Sequence, residues 1–322
     1  MTYAQNNTIL ASDSNLIRGE TGSFAGSVAF ATNKAGFLWG KGFGDRGYGQ
    51  VSPSTSNVAV ENVIGGEWRE LQSILTSLAS WQGSSTANIP PASAFAIGQP
   101  ISAHRTADGN AYDLASALAL LDSSRLNHNF ANFTLNSNVA SSTRNAAWGS
   151  PGEPGIAAEF TCNFASEDDA RYFFNSGGQI RLTLNHPNTS TSQDVAWYYA
   201  LLNMNIAFQA HSTSALSGST GTGSSLGYYE LTSGYQRVYD ASNSSSGVYS
   251  QNDYYLDVKS NNIVGTNGGR GSQLVFRITM VDEHLNAFAD NVNAGTSAAM
   301  SYIKASSGLS INNVSIANTL SF

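Results

Sequence analysis

The stretch Leu274-Val275-Phe276-Arg277-Ile278-Thr279-Met280-Val281 decides the fold class. It is short and rich in β-branched and aromatic side chains, which fit a pleated, half-buried surface. From residue 226 onward the chain repeats this kind of run near 227–231, 236–239, 254–258, 299–303 and 314–320, with turn clusters between most of them. Upstream, Glu159-Phe160-Thr161-Cys162-Asn163-Phe164 alternates like a strand, 180–184 does the same, and Phe130, Phe133 and Leu135 read as strand. Many short strands predict a sandwich or an open barrel.

Four segments read as helix. Over 66–82, Trp68, Leu71, Leu75 and Leu78 fall at helical spacing, Trp81 closes the stripe and Gly83 is a stop signal. Over 110–127 the stripe is Leu114, Leu118, Leu121 and Leu126. Over 166–176, Ser166 suits the N-cap, Glu167, Asp168 and Asp169 suit the positive end of the helix dipole, and Gly177-Gly178 ends the helix. Over 194–209, Val195, Tyr198, Tyr199, Leu202 and Ile206 fit a helix. The expected class is mainly β with a few short helices (α+β), with a β-sandwich or open-barrel C-terminal part. A Ser/Pro-rich stretch with Pro90-Pro91 and Pro100 suggests two parts. These are an N-terminal docking region, 1–90, and a β-rich domain, 91–322.

Composition narrows the function. Charged residues make up 11%, against ~25% in an ordinary globular protein. Ser, Thr, Asn and Gly supply the polar surface instead, in stretches such as 54–57, 84–88, 212–225 and 243–247. Low charge weakens repulsion between neighbouring copies and suits close packing in an assembly. The net charge is −7 and the fifteen basic residues are scattered, which argues against nucleic acid as a partner. Cys162 is the single cysteine, so no intramolecular disulfide forms. In its alternating segment it reads as a buried structural thiol. The first residues show no basic and apolar leader, and no run approaches the ~18 apolar residues of a membrane span. A soluble protein made in a cytoplasm is expected.

Motifs that could carry chemistry have plainer readings. Gly42-Phe43-Gly44-Asp45-Arg46-Gly47 has dinucleotide-loop spacing, but Tyr48-Gly49-Gln50-Val51-Ser52-Pro53 cannot open the helix that site needs. His104, His128, His186, His211 and His284 show no metal-ligand spacing; His284 with Asp282 and Asp290 is the nearest to a site. Glu167-Asp168-Asp169 reads as helix capping, because glycosidase carboxylates must face each other across a sugar. No nucleophile elbow and no calcium loop occur. No catalytic residue, cofactor or metal is expected. The aromatic pairs Tyr198-Tyr199, Tyr228-Tyr229 and Tyr254-Tyr255 read as core plus subunit interface, since on a strand one ring faces in and its neighbour out.

Several segments together bear a resemblance. The run Trp39-Gly40-Lys41-Gly42-Phe43-Gly44-Asp45-Arg46-Gly47-Tyr48-Gly49-Gln50, followed by the Trp-bearing helix at 67–82, resembles virion structural proteins of tailed phages, notably myoviruses and cyanophages. The string Ala170-Arg171-Tyr172-Phe173-Phe174-Asn175-Ser176-Gly177-Gly178, with Ile180 after it, looks like a signature of the same group. Gly227-Tyr228-Tyr229-Glu230-Leu231-Thr232 and the segment from Val275 to Asp282 are similar to later parts of those proteins. The resemblance implies a non-enzymatic component of the virion, placed in tail, baseplate or neck. It also implies other phage structural proteins as partners, while the Gly/aromatic run 36–50, hard to satisfy inside an isolated small segment, motivates a closed homo-oligomer docked by its N-terminal part, a trimer if fibre-like. Interface residues are then expected at Trp39, Phe43, Tyr48, Trp68, Trp81, Tyr228 and Tyr229. Two rival readings stand beside it. One is a tail-fibre module that binds a host surface glycan. The other is a polysaccharide depolymerase whose acids would come from Asp240, Asp253, Asp257, Asp282 and Asp290.

Overall fold

In the computed structural model the described residues are 22–24, 28–30, most of 72–95, most of 111–133, 134–242, 252–262, 271–282, 291–305 and 311–322. The chain divides into two compact units. One is 1–133 with 175–177 and 305–310; the other is 134–174, 178–304 and 311–322. The division into units falls near Phe133.

In the first unit, β1 (Gly22–Phe24) and β2 (Val28–Phe30) form an antiparallel hairpin. The described residues between 72 and 82 are helical, Leu75 and Ala79 are buried, and Gly83 stops the helix at φ 71°. Helix α1 (Leu114–Ser123) is shorter than the predicted 110–127, because the Asp113 carboxylate caps it by accepting from the Ser116 N–H. Gln82 ties the two helices together by donating Nε2–H to the Leu121 carbonyl at 2.9 Å.

The second unit is mainly β and antiparallel. Its strands are β3 (Phe133–Thr143), β4 (Gly155–Asn163), β5 (Gln179–Asn185), β6 (Asn205–Phe208), β7 (Thr213–Ala215), β8 (Thr222–Gly223), β9 (Gln236–Ser242), β10 (Asp253–Ser260), β11 (Gln273–Val281), β12 (Ser297–Ala305) and β13 (Ser315–Leu320). They form a six-stranded sheet, β13-β4-β11-β10-β9-β8, and a five-stranded sheet, β3-β12-β5-β6-β7. The period of two in the sequence becomes strict burial alternation. In the β4–β11 register, Phe160 faces Phe276, Cys162 faces Leu274 and Ala158 faces Ile278, all buried, while Glu159 faces Arg277 on the outer side.

The inner faces of the two sheets meet in one core. Phe208 on β6 lies edge-on to Phe276 on β11, with centroids 5.2 Å apart. Each such buried ring is worth about 2–3 kcal/mol of apolar transfer. The sheets also join at a seam, where Thr213 and Ser224 exchange backbone hydrogen bonds. Gly223 is required there, since a Cβ would overlap the Thr213 carbonyl. The fold is thus a two-sheet sandwich closed along one edge.

Helix α2 (Glu167–Asn175) starts and ends as the sequence predicts. Ser166 Oγ accepts from the Asp169 N–H at 3.1 Å, and the Gly178 N–H bonds back to the Phe173 carbonyl across Gly177 at φ 85°. The predicted helix 194–209 is corrected. Helix α3 (Ser192–Leu201) ends before Asn203, whose φ is 60°, and the remainder turns into β6. Its buried face is Ala196, Trp197, Ala200 and Leu201; Tyr199 is exposed. The strand predicted at 227–231 is a 3-10 turn, Tyr228–Glu230. There the N–H groups of Tyr228 and Tyr229 bond to the carbonyls of Gln209 and Ala210 rather than to a ladder. Strands β7 and β8 lie within the Ser/Gly stretch 212–225, whose composition reads as loop.

Candidate functional site

The densest polar constellation was not legible in the sequence. It begins at the N-terminus of α3, where Thr191 and Asp194 form a capping box: Thr191 Oγ1 accepts from the Asp194 N–H, and Asp194 Oδ2 accepts from the Thr191 N–H. The carboxylate then gathers three more donors. They are the Asn293 N–H at 2.9 Å, Asn293 Nδ2 at 2.7 Å and His186 Nε2 at 3.1 Å. On the far side of the imidazole, Nδ1 lies 3.0 Å from Thr296 Oγ1, which accepts from Trp148 Nε1 at 3.0 Å. Trp148 packs on Trp197 with centroids 4.8 Å apart.

The electrostatics follow from burial. Asp194, His186, Thr296, Trp148 and Trp197 are all at most 1% exposed. Burial by itself would raise the Asp194 carboxyl, but the hydrogen bonds from Asn293, His186 and Thr191 outweigh it and hold it below the usual value. Burial is the larger influence on His186 and keeps its pKa low, against the pull of Asp194. The ring is therefore neutral at pH 7. Nε2–H donates to Asp194 and Nδ1 accepts the Thr296 O–H. Carboxylate, imidazole and hydroxyl stand in the order of a nucleophilic triad. The hydroxyl, however, is sealed and already accepts the indole N–H. The arrangement thus works as a crosslink between 186–197 and 292–296.

A second constellation lies on the outer face of the six-stranded sheet. Glu159 on β4, Arg277 on β11, Asp257 on β10 and Arg237 on β9 are register neighbours, so charge alternates across four strands. Arg277 is 2.5 Å from Glu159, and Arg237 bonds to Asp257 at 3.0 Å and Asp240 at 3.1 Å. Tyr235 donates to Glu159 at 2.6 Å and lies beneath both Arg277 and Lys259; Arg237 covers Tyr255 at 3.4 Å. Burial and the adjacent Glu159 carboxylate push the Tyr235 hydroxyl up to about 12.

The residues singled out from sequence are dispersed. Trp39, Phe43, Tyr48, Trp68 and Trp81, the glycine loop at 42–47, His104, His284 and Asp290 lie outside the described residues. Tyr228 and Tyr229 are buried within the chain. They are 0% and 2% exposed. Tyr228 stacks on Phe174 at 4.5 Å and donates to the Gly271 carbonyl; Tyr229 stacks on His211 at 5.1 Å. Both turn inward because the segment is a turn and not a strand. The in-and-out rule does hold on β10, where Tyr254 is buried and Tyr255 faces outward. Asp240 and Asp257 share Arg237, and Asp282 is buried. Cys162 is sealed and its thiol pushed up by burial. Among the described residues no group of His, Cys, Asp and Glu could hold a metal ion, and no helix is long and apolar enough to cross a membrane.

The signal for the buried constellation was partial. Thr191-Ser192-Gln193-Asp194 is a capping-box pattern readable from spacing. His186, Asn293 and Thr296 reach it only through the fold, with Asn293 lying 99 residues from Asp194 and Thr296 lying 110 from His186, just ahead of β12. Neither family models, nor curated proteins, nor solved structures give a match to this chain.

Proposed function

We propose that the protein is a non-enzymatic structural component of a phage particle, assembling as a homo-oligomer in the tail, baseplate or neck. The observation that carries this reading is the outer face of the six-stranded sheet. Its charges pair with one another along β4, β11, β10 and β9 instead of converging on a cleft. A face neutralised in this way can lie against neighbours without a net repulsive field. The resemblance of the segments at 39–50 and 170–180 to tailed-phage virion proteins supports the same reading, as does the 11% charge content.

Cryo-electron microscopy of particles carrying this chain tests it. Symmetric copies packed against tail, baseplate or neck proteins, with 36–82 at the contact, are the expected result. Absence from the particle would overturn it. So would copies at a fibre tip with an open aromatic or acidic cleft, which would move the assignment to glycan binding or depolymerisation.

A further inference from the structure

The four sheet edges of the second unit are treated unequally. Strands β7 and β8 have three and two residues and are tied together through Thr213 and Ser224. Strand β13 has six residues and an irregular register between Asn318 and Leu320, with Asn318 Nδ2 bonded to the Glu159 and Leu320 carbonyls. Short length, bulges and capped backbone groups are the ordinary means of blunting an edge. Among the described residues strand β3 shows none of these; the one bond the C-terminal segment makes to it, from the Phe322 N–H, goes to the Ser142 side chain and not to its backbone. It runs eleven residues, Phe133 to Thr143, at the end of its sheet, and contains no charged residue and no proline. Leu135, Ser137, Val139 and Ser141 are exposed on one side, with Leu135 53% and Val139 37% exposed, while Asn136 and Ala140 on the other are half-buried and Ser142 is buried.

We infer that β3 is a self-association edge, pairing antiparallel with β3 of a second copy about a two-fold axis through Ser137. This rests on the reading above only in that the chain assembles with itself. Two observations select a second copy as the occupant. An isologous antiparallel pair sets each strand against its own sequence, and like charges opposite one another destabilise such pairs. A strand without charge meets no such penalty. The apolar pattern then fixes the register. With Ser137 opposite Ser137, Leu135 of each copy lies directly opposite Val139 of the other, and Thr134 opposite Ala140. The exposed aliphatic side chains cover one another in two cross-strand pairs. Shifting the register by two residues in either direction separates them. A self-paired edge is consumed by one partner, so the contact yields a dimer.

Cysteine cross-linking of the full chain provides the test. Cys162 is buried and contributes no background. Opposed residues in an antiparallel ladder bring Cβ atoms within reach of a disulfide, so Ser137→Cys closes an intermolecular bond under mild oxidation. Ser141→Cys, equally exposed, has its own copy about eight residues away and stays reduced. At least about tenfold faster covalent dimerisation of Ser137→Cys is expected, reflecting the effective concentration set by the ladder. In parallel, wild type sediments as a dimer or a multiple of it, and Leu135→Lys, folded by circular dichroism, loses that contact. Equal cross-linking at the two positions, or Leu135→Lys retaining the wild-type mass, overturns the β3 contact. If wild type is nonetheless oligomeric, self-assembly survives and uses another surface. If wild type is monomeric at all concentrations and Ser137→Cys does not cross-link, both the contact and unaided self-assembly fail.

Discussion

Two polar networks in the same sandwich make opposite use of similar side chains. The inner one holds a single buried carboxylate, Asp194, with a donor from the equally buried His186 and further donors from Thr191 and Asn293 at the rim. The outer one spreads Glu159, Arg277, Asp257 and Arg237 along the sheet, with the arginines 42% and 44% exposed. Burial makes the first network costly to break, because every orphaned group keeps its full desolvation penalty. Water and salt make the second one cheap to break. Position, more than residue type, sets what a charge contributes.

The sharpest way to break this comparison is Asp194→Ala. It removes the acceptor of four donor groups, of which the His186 Nε2–H is fully buried, and leaves that ring unpaired on one side. A loss of about 2–4 kcal/mol is expected in denaturant unfolding, about 1–3 for the buried His186 N–H left without an acceptor and about 1 for the lost helix cap. A change below about 1 kcal/mol would mean that the inner network is no stronger than a surface pair.

Acid tests the same network without mutation. The folded pKa of His186 lies below its unfolded value of 6.5, so between the two the unfolded chain binds more protons. Stability is therefore full above about pH 6.5 and falls as the pH drops below it. His128, depressed by its own burial, adds the same sign. The slope of unfolding free energy is at most ~1.4 kcal/mol per pH unit for each group. Imidazole proton shifts should place the midpoints of both rings below 6.5. A His186 that titrates at 6.5 would remove the inner side of the contrast.

The smallest effect belongs to Arg277→Ala. Its partner Glu159 is held low by Tyr235 and Arg277 against the raising effect of burial, yet the arginine is substantially exposed. About 0.2–1 kcal/mol is expected, shrinking as salt is raised from low to ~1 M. A larger, salt-insensitive loss would place the outer row with the inner one.

The same division explains what the chain discloses as sequence. Strands β4, β5, β10, β11 and β12 were legible because one buried face writes a period of two into the residues. Helix α2 was legible because its caps are local. The segment 194–209 misled, because Leu202 and Ile206 continue a helical spacing that Asn203 interrupts by adopting a left-handed conformation. The Tyr228-Tyr229 pair misled because its backbone partners lie at Gln209 and Ala210, far back along the chain. The inner network was invisible for the same reason on a larger scale. Only Thr191 and Asp194 are neighbours in sequence; the remaining members meet because β12 lies beside β5. The outer row was equally hidden, since single charges on four strands form a line only once the register is set.

Strand β4 carries one further consequence, which concerns the order in which the chain is made. Both of its neighbours lie far downstream, β11 at Gln273–Val281 and β13 at Ser315–Leu320. During synthesis β4 therefore leaves the ribosome more than a hundred residues ahead of any strand it can pair with. At ~5–20 residues per second that is a wait of several seconds or more with its alternating apolar face uncovered. Strands β8, β9, β10 and β11 can pair in the order in which they emerge, but β4 joins the sheet only after β11 is made, so the nascent chain is a stage at which a chaperone would shield it.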